Sequence, residues 1–278
     1  MKIHKAVITA AGPDQRQLPL QSIVSATGES KTAIELLLDE IFEAGIRNAA
    51  LIVAPGQTEA FRAAVGSHLP QIEFIEQAEP LGYGHAVLCA KDFTGDEAFL
   101  LLVGDHLYLS NRDRSCVRQL LETATREKCS VSAVQATREG KLPYYGAVSG
   151  KNIPGSRDLY QIENILEKPT PTVAEQELIT PGLRQGHYLC FFGMHVLTAT
   201  TMRLLEDALE SSGKGLPLTP SLAAAARSER HLAFEIAGQR YNIGEAYGLL
   251  RAQLAMALAG PQRDEILTML VELMATSR

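Results

Sequence analysis

Several signals are scarce or absent in this chain, and each absence removes a class of function. The four cysteines, Cys89, Cys116, Cys129 and Cys190, form no CxxC pair and show no zinc-like spacing, which excludes a disulfide framework and a structural metal site built on them. His85 and Cys89 fall four apart on an expected helix, but two ligands do not make a metal site. Cationic residues are in deficit: 26 Lys+Arg against 32 Asp+Glu give a formal net charge of -6, with no basic block to follow a phosphate backbone. No nucleic-acid partner is expected. Long apolar runs are missing too, the longest being strand-sized, as at residues 98–103. The first residues carry neither a signal peptide's continuous apolar stretch nor its small-residue cleavage site, so no membrane association and a cytoplasmic location are expected. Residues 28–32 (GESKT) match only the end of a P-loop, with Ser30 where GxxxxGK[ST] needs a glycine before Lys31, and no GxGxxG follows the first expected strand. Lys31 reads as a cation at a helix start.

What is present is a core-forming chain of 278 residues, 46% hydrophobic. Residues 5–10 (KAVITA) read as a buried strand entering a tight loop at Ala11-Gly12-Pro13. In 31–45, Ile34, Leu37, Leu38 and Ile41 repeat at helical spacing before a terminating Gly45. Strands at 49–54, 72–76, 98–103 and 131–136 then alternate with helices from 57, over 83–91 and from 112. This alternation predicts right-handed crossovers and a doubly wound, mostly parallel, Rossmann-like sheet within an α/β fold. Ligands of such sheets sit at the carboxyl ends of the strands.

Beyond Tyr144 the pattern is mixed, with strands expected at 146–149, 159–166 and 188–196 and helices near 200–210 and 218–227. With no linker composition and no repeat, the chain reads as one domain, 1–278, carrying an insertion after residue 140. Two terminal helices, 244–259 and 262–275, break at Gly260-Pro261; their leucine-rich stripes either pack on the sheet or join copies of the chain, and a homo-oligomer is expected.

The loops at the strand ends hold the candidate chemistry: Ala10-Ala11-Gly12 with Arg16, Gln77 followed by Leu81-Gly82-Tyr83-Gly84-His85, Gly104-Asp105, Tyr145-Gly146 and Glu167-Lys168-Pro169. Strand-end glycines let backbone N–H groups approach a base or phosphate, and an Asp ending a buried strand is a hard oxygen ligand for Mg²⁺. Read singly, each is better explained by ordinary turn chemistry.

In order, these segments resemble the sugar nucleotidyltransferases, and in particular the bacterial UTP–glucose-1-phosphate uridylyltransferases. The likeness spans nearly the whole chain, from the KAVITAAG of residues 5–12 through Arg16-Gln-Leu-Pro19 to the GMHVL of 193–197 and the RYNIG of 240–244. It is sharpest at residues 82–90, GYGHAVLCA. The resemblance implies a nucleotidyltransferase-type fold with a nucleotide-binding half (1–140), a sugar-phosphate half (141–243) and carboxyl-terminal helices (244–278). It implies nucleotide contacts at Ala10, Ala11, Gly12, Gln77, Gly82 and Gly84, with uracil read by Gln77 and Gly82. Sugar-phosphate contacts would fall at Gly146, Glu167 and Lys168, and Mg²⁺ on Asp105 and Asn242. The implied reaction is attack by a sugar 1-phosphate on the α-phosphorus of UTP, giving a UDP-sugar and pyrophosphate, with Arg16 and Lys168 neutralising charge.

The sequence departs from the family pattern at the phosphate side. The family's Gly-x-Gly-Thr-Arg reads Gly12-Pro13-Asp14-Gln15-Arg16, the following Pro-Lys is absent from a shortened stretch at 20–28, and Asn242 replaces a metal-binding Asp. Residues 217–220 read PLTP where Gln-Leu-Thr-Asp is usual. These changes open a second expectation: a catalytically weak relative that binds a sugar nucleotide or sugar phosphate as a sensor or regulatory subunit. Asp14 discriminates, depending on whether it faces a metal near Asp105 or pairs with Arg16.

Overall fold

In the computed structural model, which describes residues 1–12, 16–212 and 215–276, β1 (Lys5–Thr9) is buried on both faces. Ala6 and Ile8 enter one core layer and Val7 the other, as the period of two requires. Asp14 lies outside the described residues. Strands β4 (Asn48–Val53), β5 (Ile72–Glu76) and β6 (Phe99–Val103) join β1 in a parallel set ordered β5-β4-β1-β6. The connection from β1 to β4 contains α1 (Ala33–Glu43), whose Ile34, Leu37, Leu38 and Ile41 are all buried. Thr32 caps it, its side chain accepting from the Glu35 N–H at 3.1 Å, and Gly45 ends it with φ +107°. Lys31 precedes the helix in β3 (Ser30–Thr32), which pairs with β2 (Ser22–Val24), and bonds Asp39 at 2.8 Å.

The sheet continues β6-β11-β8-β12-β10-β9, nine strands in all. β11 (His187–Leu197) runs antiparallel to β6 and to β8 (Ser130–Arg138), whereas β12 (His231–Glu235) is parallel to β8. β10 (Leu159–Leu166) and β9 (Ala147–Asn152) complete a mixed sheet. One face is covered by α1 and α5 (Cys116–Glu127), the other by α3 (Tyr83–Leu88), α7 (Ala199–Ser212) and α8 (Thr219–Ser228).

Three features go beyond the sequence pattern. The helix expected from 112 starts at Cys116, where the Ser115 hydroxyl accepts from the Arg118 N–H. β7 (His106–Ser110) leaves the main sheet and pairs antiparallel with β13 (Gly238–Asn242) in a separate ribbon. Of the terminal helices, α9 (Gly248–Ala259) buries Ala252 and Met256 against β2, β7 and β13, while α10 (Arg263–Thr276) buries no residue.

Candidate active site

The carboxyl edge of the parallel strands is closed by small residues. Gly104 N–H donates to the Thr9 carbonyl at 2.9 Å, and a Cβ on Gly104 would stand 2.9 Å from that same oxygen. The chain therefore turns tightly after β6 and carries Asp105 past the sheet edge, only 2% exposed. Its Oδ1 lies 2.9 Å from His106 Nδ1, and its backbone carbonyl accepts from Ile243 N–H at 2.9 Å. The ribbon register sets Asn242 opposite His106. Both side chains meet at Gly244, where a Cβ would lie 3.1 Å from Asn242 Oδ1 and 3.4 Å from Asp105 Oδ2. Two hard oxygens thus face one glycine, although Asn242 Oδ1 also accepts from Gly244 N–H at 2.8 Å. Among the described residues no group of three or more His, Cys, Asp or Glu is arranged to hold a metal, so further ligands would have to come from elsewhere.

At the end of β5, Gln77 is buried and orders the next loop. Its Nε2 donates to the Gly82 carbonyl at 3.1 Å and to His85 Nδ1 at 3.0 Å, which places the histidine proton on Nε2. No described residue donates to Gln77 Oε1. Gly82 adopts φ +111°, and Cβ atoms on Gly82 and Gly84 would stand 3.0 and 2.7 Å from the Leu216 carbonyl oxygen. These glycines are required first by packing against the 215–217 segment, with His85 N–H donating to that carbonyl at 3.2 Å. Ala10 and Ala11 are buried beside them, Ala10 N–H bonding the Ile52 carbonyl at 2.8 Å. Arg16 is half-buried, with its Nε bonded to no described residue.

On the other side, Glu167 Oε2 accepts from the Thr219 hydroxyl at 2.5 Å and lies 3.1 Å from where a Cβ on Gly146 would sit. The Phe191 ring would be 2.8 Å from that Cβ, so the close packing of Phe191 and Glu167 on the backbone admits only glycine at 146. Lys168 has φ +43°, a left-handed conformation unusual for a lysine, is exposed and makes no ion pair or hydrogen bond with a described side chain.

Tyr83 links the groups. Its phenol is fully buried, and burial, followed by the charges of Asp105 and Glu167, raises its pKa far above the ordinary phenol value. It therefore stays protonated, in electrostatic range of two carboxylates that the sequence separates by more than sixty residues. Sequence reasoning did not single out Tyr83 or Thr219 as site residues. Tyr83 stands inside the GYGH segment and Thr219 inside the divergent PLTP, so motif position was the available signal.

UTP–glucose-1-phosphate uridylyltransferase of Bacillus subtilis (strain 168) is 28% identical over 292 residues, covering 95% of each chain. The Streptococcus pneumoniae protein of the same name is 28% identical over 305 residues, covering 98% of this chain and 96% of its own. UDP-glucose pyrophosphorylase from Acinetobacter baumannii superposes with a TM-score of 0.76 at 24% identity, covering 98% of this chain and 100% of that one. A UDP-glucose pyrophosphorylase solved with UDP-glucose gives 0.73 at 22% identity, covering 91% and 98%. Residues 5–256 match the nucleotidyl transferase family, and the chain belongs to it.

Proposed function

We propose that this chain transfers the uridylyl group of UTP to glucose 1-phosphate or a related sugar 1-phosphate, releasing a UDP-sugar and pyrophosphate. The observation that carries the reading is the meeting of the Asp105 and Asn242 side-chain oxygens at Gly244, with the buried Tyr83 phenol in electrostatic range of both Asp105 and Glu167. Ala10, Ala11, Gly12, Gly82 and Gly84 form the nucleotide side, and Gln77 Oε1 accepts the uracil imide N–H. Gly146 and Glu167 take the sugar hydroxyls. Lys168 and Arg16 neutralise the phosphates on either side of the bond being made. The nucleophile is already an anion, so alignment and charge neutralisation outweigh general-base catalysis. Asp105 and Asn242 suit Mg²⁺, which takes one or two protein oxygens and fills its shell with phosphate and water. When bound, the ion supplies charge stabilisation at the reacting phosphates.

This reading treats residues 1–278 as one domain, with residues 1–140 on the nucleotide side, 141–243 on the sugar side and 244–278 as the terminal helices. It sets the chain in the cytoplasm. Exposed Met269, Val271, Leu273 and Met274 on α10 support assembly into a homo-oligomer.

A second reading, a slow or inactive relative that binds a sugar nucleotide, is favoured by one contact. Asn242 Oδ1 is already engaged by Gly244 N–H and carries no charge. The deciding experiment is pyrophosphate release from UTP, glucose 1-phosphate and Mg²⁺, with Asp105→Ala and Lys168→Ala as controls. Turnover lost in both variants supports the transferase. Absence of turnover with any sugar phosphate, alongside calorimetric binding of UDP-glucose, supports the second reading.

A further inference from the structure

Behind Asn242, away from Glu167, lies a cavity of about 460 Å³ between the end of β8, β13 and the start of α9. Four cations line it, Arg138, Lys141, Arg240 and Arg251, against one carboxylate, Glu245. That local excess is opposite in sign to the chain's net charge of -6. The carboxylate is fully committed: its oxygens accept from the Tyr145 hydroxyl at 2.7 Å and from Lys141 Nζ at 3.0 Å. Burial works to raise its pKa, yet these two bonds hold it below the ordinary value, so it is ionised at neutral pH. Arg240 is fixed as well, donating to the Phe191 carbonyl and lying 3.6 Å from the centre of the Tyr145 ring. Arg138 and Arg251 make no hydrogen bond or ion pair through their side chains with any described residue.

The cavity is distinct from the sugar side of the reaction centre. Just before β9, Tyr145 turns its ring to Arg240 while Gly146 faces Glu167 and Phe191. Asn242 is the shared wall, touching the cavity on one side and Asp105's neighbourhood on the other. A fixed guanidinium, a fixed ammonium and two guanidinium groups that donate to no described residue, against the single charge of Glu245, match an anion that carries several acceptor oxygens. We propose that this cavity is a second ligand site, which takes a small molecule bearing two adjoining phosphate groups.

The shared chemistry is a diphosphate, either free or carried on a nucleoside. Its test is calorimetric titration of the full chain, without divalent cations and at constant ionic strength, with inorganic pyrophosphate and separately with ADP. The expected result is saturable binding of at least one of them, weakened about tenfold or more by the double substitution Arg138→Gln/Arg251→Gln. Lys168→Ala should leave it unchanged. Tighter binding of pyrophosphate assigns the site to free diphosphate, and tighter binding of ADP to a nucleoside diphosphate. Failure of both probes to bind, equal binding by the double variant, or an equal loss in Lys168→Ala would overturn the proposal. UDP-glucose binding, measured on the same samples, keeps this outcome separate from the fate of the proposed transferase.

Discussion

The base and sugar sides of the candidate site differ from its metal side in how their polar groups are used. At Gln77, Gly82, Gly84 and Leu216, backbone and side chain lock into one another, and Thr219 holds Glu167 beside Gly146. At Asp105 and Asn242 the oxygens are turned partly inward, toward His106 and the Gly244 N–H. The contrast teaches that, on the proposed reading, holding a UDP-sugar and transferring the uridylyl group would draw on different residues and so be separable. Binding should be robust and turnover sensitive.

The largest effects should come from removing charge at the reacting phosphates. Lys168→Ala is expected to lower turnover by about 10²- to 10³-fold, in line with single charge-stabilising groups, and steady-state pyrophosphate release measures it. A much smaller drop would mean that Lys168, exposed and bonded to no described side chain, stays out of the reaction. Next, Gly84→Ala forces a Cβ to within 2.7 Å of the Leu216 carbonyl and 2.9 Å of Leu205. It should cost about 1–3 kcal/mol of stability and weaken UDP-glucose binding, as read by thermal melting and calorimetry.

Asn242→Asp sharpens the comparison from the other side. The Gly244 N–H bond survives the change while a charge is restored, so the Mg²⁺ concentration for half-maximal turnover should fall severalfold. An unchanged Mg²⁺ dependence would separate Asn242 from the metal.

The smallest effect contrasts the two halves of the sheet through pH. His195 on β11 and His231 on β12 both contact the Ser132 hydroxyl at 2.8 Å. Burial holds both far below the ordinary imidazole pKa. The unfolded chain takes up their protons as pH falls below about 6.5 and the native chain does not, so stability is lost on acidification, by up to about 2 kcal/mol per histidine at pH 5. Glu40 on α1 acts oppositely. Burial raises it to about 7, against which the Val117 and Cys116 N–H groups act, so its native form gains a proton that the unfolded chain still releases. Its contribution is present at low pH and lost as pH rises through 7. Glu40→Gln keeps the acceptor for Val117 but removes this offset. Its melting temperature should therefore fall more steeply than that of the parent between pH 7.5 and 5, and parallel curves would contradict the assignment.

Legibility in the sequence followed the range of the interactions involved. The parallel strands and α1 were readable because each is an apolar run or helical stripe with its own cap and stop, as Ile34, Leu37, Leu38, Ile41 and Gly45 show. The β7–β13 ribbon was not, since GQRYN has no apolar alternation and forms only by pairing with residues more than a hundred positions away. The strand-end loops stood out as turn chemistry, but the partner of Glu167 did not: Thr219 lies 52 residues on and carries no motif by itself. The glycines at 82 and 84 were visible as special, whereas their immediate cause, the Leu216 backbone, required the folded chain.

In the proposed function the Gln77–Gly84 loop and the Gly146–Glu167 pair form one UDP-sugar site, and calorimetric titration of UDP-glucose into the parent chain and into Glu167→Ala, both in Mg²⁺, decides whether they do. Saturable one-site binding that weakens about tenfold or more in Glu167→Ala is the predicted result. No saturable binding to the parent chain, or equal affinity in the two proteins, would contradict it.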